Sequence, residues 1–316
     1  MFLLDKILPF IFGYIRPFIK WFLHVFTRLS ELQRICYGAK AGASRTRQVE
    51  RSLQLSKHPD IKCLLLELDQ AAPYADDAEL LYFAQRATHV IGKVKKIKPN
   101  VHPDFGRIFG NCITAIYGYK RLMHTAEQLR AEKYDAENPE HEQKLLQLWR
   151  LLMPEEPLTA RITKQWQDIG FQGDDPKTDF RGMGMLGLEN LLYFARVYND
   201  AAKHVLLHSK HPTLGYTFAI VGINLTSMAF KFLKTGAVKT HFYNQAATYK
   251  QHYSTLEDFH KLYCYLFFEF DRFWMESDPR DIMDFREIYQ AFEISKLEAL
   301  HKDSTLFVTN LVVESV

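Results

Sequence analysis

Residues 217–233 read TFAIVGINLTSMAFKFL, and the fold class turns on whether this run crosses a membrane or fills a core. It is apolar on nearly all sides, as both a membrane span and a fully buried helix must be. Asn224, Thr226 and Ser227 interrupt it, and ordinary amphipathic segments flank it. The run reads as the central buried helix of a globular bundle, with a span as the lesser alternative.

From residue 40 onward helical periodicity prevails, and no series of segments keeps the strict alternation of strands. The sequence therefore predicts an all-α fold, a compact multi-helix globular bundle with an amphipathic N-terminal helix. Helices are expected over about 44–57, 60–70, 76–98, 103–132, 138–152, 159–168, 186–198, 199–209, 213–235, 255–276 and 279–300, where apolar residues recur at three- and four-residue steps. Local chemistry marks several ends. Ser254 with Glu257 reads as a capping box, and Asp278 before Pro279 as an N-cap with proline in the first turn. Pro154 and Pro157 separate the helix holding Trp149 from the one holding Trp166, and Gly236 ends the central helix.

The first residues, MFLLDKILPFIFGYIRPFIKWFLHVFTRLSELQRI, are the most aromatic-apolar of the chain, yet the longest uncharged run, Ile7 to Ile15, is nine residues. A helix needs ~20 to span a bilayer, so a plain transmembrane helix is not expected. After Pro17 the residues Phe18, Trp21, Phe22, Val25, Leu29 and Leu32 form one face, with Lys20, His24, Thr27, Arg28 and Glu31 on the others. Such a helix suits a membrane interface or a berth on the protein's own core, and periodicity alone does not choose between them. Two polar connections, PYADDAE near residue 75 and EKYDAENPEHE near 136, separate helices, and the second marks a candidate domain boundary. The chain divides into an amphipathic segment at 1–37, a helical region at 38–135, a dense helical unit at 136–305 and a tail at 306–316.

A formal net charge of +3 over 316 residues, with basic residues scattered among amphipathic segments, argues against nucleic acid as a partner. Cys36, Cys63, Cys112 and Cys264 form no CxxC pair and read as reduced core thiols. His208 and His211 are the nearest histidine cluster, and with no carboxylate or second pair at ligand spacing no structural zinc is expected.

One arginine stands out, in FQGDDPKTDFRGMGMLG at 171–187. Asp175 before Pro176 can cap a short helical turn, and Gly182, Gly184 and Gly187 relax the backbone after Arg181. Arg181 is thus a long cation on a bend beside Asp174, Asp175 and Asp179. It either forks onto one of those carboxylates to hold the bend, or reaches toward negative charge on another molecule, where its planar fork suits phosphate oxygens.

WQDIGFQGDDPKTDFRGMGMLGLENLLYF, Trp166 to Phe194, resembles the signature of the ELMO domain, and HPTLGYTFAIVGINLT, His211 to Thr226, resembles that family's second signature. LWRLLMP at 148–154, YLFFEFDRFW at 265–274 and ELQRICY at 31–37 are also similar to it. The resemblance assigns the ELMO domain to 136–305 and points to the short members, which act as GTPase-activating proteins for Arf and Arl small GTPases in the GTP-bound state. By resemblance the arginine of TDFRG is needed for that activity, a role that falls here on Arg181. Trp166, Gly170, Phe171, Gln172, Gly173, Asp175, Pro176, Asp179, Gly182 and Gly184 would bind the partner or shape the loop. Magnesium and GTP belong to the partner on this reading, so no cofactor is expected. The alternative is a non-catalytic adaptor, as larger ELMO proteins are scaffolds for Rac exchange factors. The expected location is cytoplasmic and peripheral to a membrane, with residues 1–33 on its surface and Golgi, endoplasmic reticulum, lipid droplet and mitochondrion undistinguished.

Overall fold

The computed structural model describes residues 18–311, apart from Lys20 and His24. The expectations placed on residues 1–17 and on 312–316 lie outside it. Residues 18–19, 21–23 and 25–27 are helical. The helices that follow are Glu31–Gly38 (α1), Ala43–Gln54 (α2), Pro59–Ala71 (α3), Asp77–Val94 (α4), Pro103–Ala131 (α5) and Pro139–Leu152 (α6). Then come Gly184–Val197 (α7), Asn199–Ser209 (α8), Phe218–Thr235 (α9), Lys239–Thr248 (α10), Leu256–Glu276 (α11) and Phe285–Leu300 (α12). Short 3₁₀ turns occupy Ala72–Tyr74, Lys164–Ile169, Pro176–Arg181 and Ile282–Asp284. Among the described residues there is no strand, and no helix is long and apolar enough to cross a membrane.

The chain forms two compact units. The first runs up to Tyr117 and includes Ala246–Tyr253. Its helices start on their own chemistry: Ser30 and Gln33 close a reciprocal capping box on α1, and Asp76 with Glu79 does the same on α4. Leu32, Val49, Leu53, Leu64, Phe83 and Phe109 fill its core.

The second unit runs from Gly118 to Gln245 and resumes at Ser254. The apolar run 217–233 lies at its centre. Along α9 the residues Phe218, Val221, Leu225, Met228, Phe232 and Leu233 are all buried, with α7 and α11 packed on it. A Cβ on Gly222 would fall 2.6 Å from Leu191 Cδ2 and 2.8 Å from the Tyr263 hydroxyl, so glycine sets how closely these helices cross. Asn190, Thr226 and His260 form a buried polar chain, paired as burial favours. Asn190 Nδ2 donates to Thr226 Oγ1 at 3.1 Å, and His260 Nδ1 lies 2.6 Å from Asn190 Oδ1.

Six local expectations change. The box that starts α11 is Thr255 with Asp258, one residue beyond Ser254 and Glu257. Asp278 takes a left-handed φ of 47°, so α12 begins at Phe285 and not at Pro279. The stretch 159–168 is irregular, with a bend at 161–162, and becomes 3₁₀ only from Lys164, and α10 forms where no helix was expected. Cys63 is exposed, while Cys36, Cys112 and Cys264 are buried, all four as free thiols. His208 does have a carboxylate at hand, with Asp271 Oδ2 2.8 Å from its Nδ1.

Candidate functional site

Between α6 and α7 the chain makes two short 3₁₀ turns, and side chains hold what backbone ladders do not. Thr163 caps the first turn by accepting the Gln165 amide, and Gly170 ends it with φ 83°. A Cβ at Gly170 would lie 2.3 Å from the Phe218 nitrogen, because the turn is pressed against the start of α9. The Ile220 amide donates to the Gly170 carbonyl at 3.2 Å, closing that contact.

Beneath the turns runs a ladder of rings. Trp149 meets Trp166 at 5.5 Å between centroids, Trp166 meets Phe171 at 5.9 Å, Phe171 meets Phe180 at 5.6 Å, and Phe180 meets Tyr134 at 5.5 Å. The first three contacts are edge-to-face, the arrangement favoured by the ring quadrupole. Trp166, Phe171 and Phe180 are buried, so the loop rests on a floor of packed rings.

Arg161 ties this floor to the second turn. Its Nε donates to both oxygens of Glu142, at 2.7 and 2.5 Å, and its Nη1 to Asp175 Oδ1 at 2.9 Å. Its carbonyl accepts Trp166 Nε1–H at 2.9 Å, and Glu142 also accepts the Tyr134 hydroxyl. A groove of about 570 Å³ opens beside it, lined by Trp149, Met153, Pro154, Pro157 and Leu158. Asp175 is the N-cap of the turn Pro176–Arg181, accepting the Lys177 amide at 3.1 Å with Pro176 buried in the first position. Burial works against ionisation of Asp175, yet the Lys177 amide and the Arg161 guanidinium hold its carboxyl below the usual range.

The other expected residues fall into place around this turn. Asp174 accepts from Gln167 Nε2 at 3.2 Å, and its carbonyl takes the Thr163 amide at 2.9 Å. Asp179 accepts the Gln172 amide at 3.0 Å, while burial lifts its carboxyl above the usual range against the opposing pull of that amide and of Arg181. Gln172 is otherwise exposed, and Gly173 lies half-buried at the bend. Gly184 takes φ 51°, where a Cβ would sit 2.3 Å from the Glu132 carbonyl and 2.4 Å from that of Arg130. The end of α5 thus abuts the start of α7, with the Met185 amide donating to the Glu132 carbonyl at 2.9 Å.

Arg181 closes the turn, one residue beyond the buried Phe180, and is exposed. Among the described residues it has no hydrogen-bond or ion-pair partner. The fork onto an aspartate that the sequence left open is not formed, since Asp175 is held by Arg161, and Asp174 and Asp179 by Gln167 and Gln172. Gly182 beside it has an ordinary φ of −83°, and a Cβ there would meet nothing within 4 Å. The result is a fixed turn that presents a guanidinium to solvent next to a residue without a side chain. Sequence reasoning missed Arg161, Glu142 and Tyr134, because nothing in their spacing links them to Asp175.

Residues 124–289 match the model of the ELMO/CED-12 family. The chain is 44% identical over 290 residues to ELMO domain-containing protein 1 of Mus musculus, covering 86% of this chain and 84% of that protein. It is 43% identical over 302 residues to ELMO domain-containing protein 2 of Homo sapiens, covering 95% of this chain and 97% of that one. To ELMO domain-containing protein B of Dictyostelium discoideum the identity is 34% over 278 residues, covering 87% and 91%.

Proposed function

The chain belongs to the ELMO/CED-12 family, and from that premise we propose that it is a GTPase-activating protein for Arf and Arl small GTPases, with Arg181 as the residue that acts on the partner's nucleotide. The observation that carries this is the state of Arg181: exposed, on a capped and braced turn, and hydrogen-bonded or ion-paired to no carboxylate among the described residues. A structural arginine is neutralised inside its protein, as Arg161 is. Arg181 keeps its charge and its planar donors for another molecule.

In GTP hydrolysis, negative charge spreads over the γ-phosphoryl oxygens and the oxygen bridging to the leaving GDP. A guanidinium delivered in trans stabilises that charge, worth ~10³–10⁵ in rate where such arginines have been measured. The partner supplies the nucleotide, the magnesium ion and the attacking water; this chain supplies the arginine and the surface that aims it. The absence of a side chain at Gly182 leaves room for the partner beside the guanidinium.

The test is single-turnover hydrolysis by a panel of GTP-loaded Arf and Arl proteins. Arg181→Lys keeps the charge and loses the fork, so stimulation falls by orders of magnitude while GTPase binding and melting temperature stay at the parent's level. If no member of the panel is stimulated by the parent protein but some bind, the chain is an adaptor.

The same reading places the protein at a membrane surface, where Arf-type partners would be met. Along the N-terminal helix Phe18, Trp21, Phe22, Val25 and Phe26 are all exposed, Phe26 by 80%, which suits an interfacial helix better than one docked on the core. Replacing Trp21, Phe22 and Phe26 by serine is expected to abolish co-flotation with anionic liposomes and to leave the melting temperature unchanged; retained flotation would end this part of the reading.

A further inference from the structure

Outside the arginine turn, one group of side chains converges without a role in the reading above. His204 and His208 lie four apart on α8, hence on one face of it, with ring centroids 4.1 Å apart. Asp271 comes to them from α11, its side chain only 4% exposed and its Oδ2 2.8 Å from His208 Nδ1. One ligand-type atom from each of the three lies within 4.8 Å of the other two. We infer that His204, His208 and Asp271 form a binding site for a divalent transition-metal ion, Zn²⁺ being the best match to two imidazoles and one carboxylate.

The geometry around the carboxylate carries the inference further than the spacing does. Tyr216 donates its hydroxyl to Asp271 Oδ1 at 2.6 Å, fixing the carboxylate plane and leaving Oδ2 to face the histidines. Tyr216 is itself set edge-to-face against Phe270 and Trp274, and Trp274 Nε1 donates to the Leu214 carbonyl at 2.7 Å. An oriented ligand oxygen with an outer hydrogen-bond donor behind it is the usual support of a metal site. Tetrahedral zinc with bonds of ~2.0–2.2 Å needs its ligand atoms about 3.3 Å apart. The span of 4.8 Å closes to that by small rotations of the two half-exposed imidazoles, while the buried carboxylate stays in place. Both histidines reach the surface, so a solvent-facing position remains for water, as in zinc sites with three protein ligands. A bound ion would clip α8 to α11. This site shares no residue with the turn that carries Arg181, so it stands or falls apart from the GTPase reading.

The test is calorimetric titration of the metal-stripped full chain with Zn²⁺, with Co²⁺ absorption as a second reading of the ligand field. One ion per chain is expected, with the melting temperature raised by excess Zn²⁺ through mass action. His204 makes ring contacts only, with His208 and Phe268, so His204→Ala is expected to keep the fold and to weaken binding at least tenfold. Asp271→Asn is expected to abolish binding, with circular dichroism reporting whether it folds, and His301→Ala serves as the control histidine outside the cluster. The inference is overturned if the parent shows no stoichiometric binding, or if binding survives unchanged in His204→Ala.

Discussion

Arg161 and Arg181 belong to the same connection between α6 and α7, yet the fold treats them in opposite ways. Arg161 is drawn inward between Glu142 and Asp175, and its backbone carbonyl anchors Trp166. Arg181 stands outside, at the end of a turn whose carboxylates are all engaged elsewhere. A guanidinium costs free energy to bury unless it is paired, so the chain commits one arginine to structure and keeps the other clear of it. The first makes the second's position a property of the fold and not of its own rotamer preferences.

Five changes test that division, the most destabilising first. Gly170→Ala is expected to unfold the second unit or to cost ~4 kcal/mol or more, since its Cβ would sit 2.3 Å from the Phe218 nitrogen at a φ of 83°. Chemical denaturation checks this, and a well-folded Gly170→Ala protein would show that the braced half is softer than described. Arg161→Ala leaves Glu142 without its guanidinium and Asp175 with Lys177 Nζ at 3.7 Å, both carboxylates being about four-fifths buried. The expected cost is roughly 2 kcal/mol, below the ~3–5 of a fully buried pair. Arg181→Ala should stay within about 0.5 kcal/mol, as surface changes do, and equal costs for the two would erase the contrast.

The fourth change is in pH. The folded state holds the Asp175 carboxyl below its ordinary range, so its stabilising contribution is complete above the unfolded value and is lost as pH falls through the folded one. The melting-temperature gap between the parent and Asp175→Asn should therefore be widest near neutrality and close in acid; a gap that widens in acid contradicts the assignment. The fifth is Gly182→Ala, which has free space and an ordinary φ, so stability should move by no more than about 0.5 kcal/mol. Any loss of GTPase stimulation in that folded variant reports the partner's approach beside Arg181.

The helices that sequence placed well are those whose periodicity and end chemistry agree. In α9 a largely apolar helix ends at Gly236, which takes a left-handed φ of 78° to close it. α10 was invisible because its inward face carries Thr240, His241 and Gln245, polar groups paired only by the fold: Thr240 Oγ1 donates to the Leu300 carbonyl, and His241 Nδ1 accepts the Phe307 amide. The displaced start of α11 has a local cause, since Ser254 and Thr255 each stand three residues before an acid and only geometry selects between them. At the site, the Asp175–Pro176 cap was legible because an N-cap and a proline act within three residues. The brace was not, because Arg161 reaches its partners across 19 residues in one direction and 14 in the other.

The 29 residues of α5 end where α7 begins, with the Glu132 carbonyl taking the Met185 amide and the Gly184 Cα lying under the last carbonyls. Helix length therefore acts as a gauge. One residue inserted into or deleted from the second half of α5 would turn its end by about 100° and shift it by ~1.5 Å, carrying those carbonyls away from the glycine that fits them. Substitutions leave that register untouched, but the number of residues from Gly118 to Glu132 is fixed by a junction that lies three residues after Arg181.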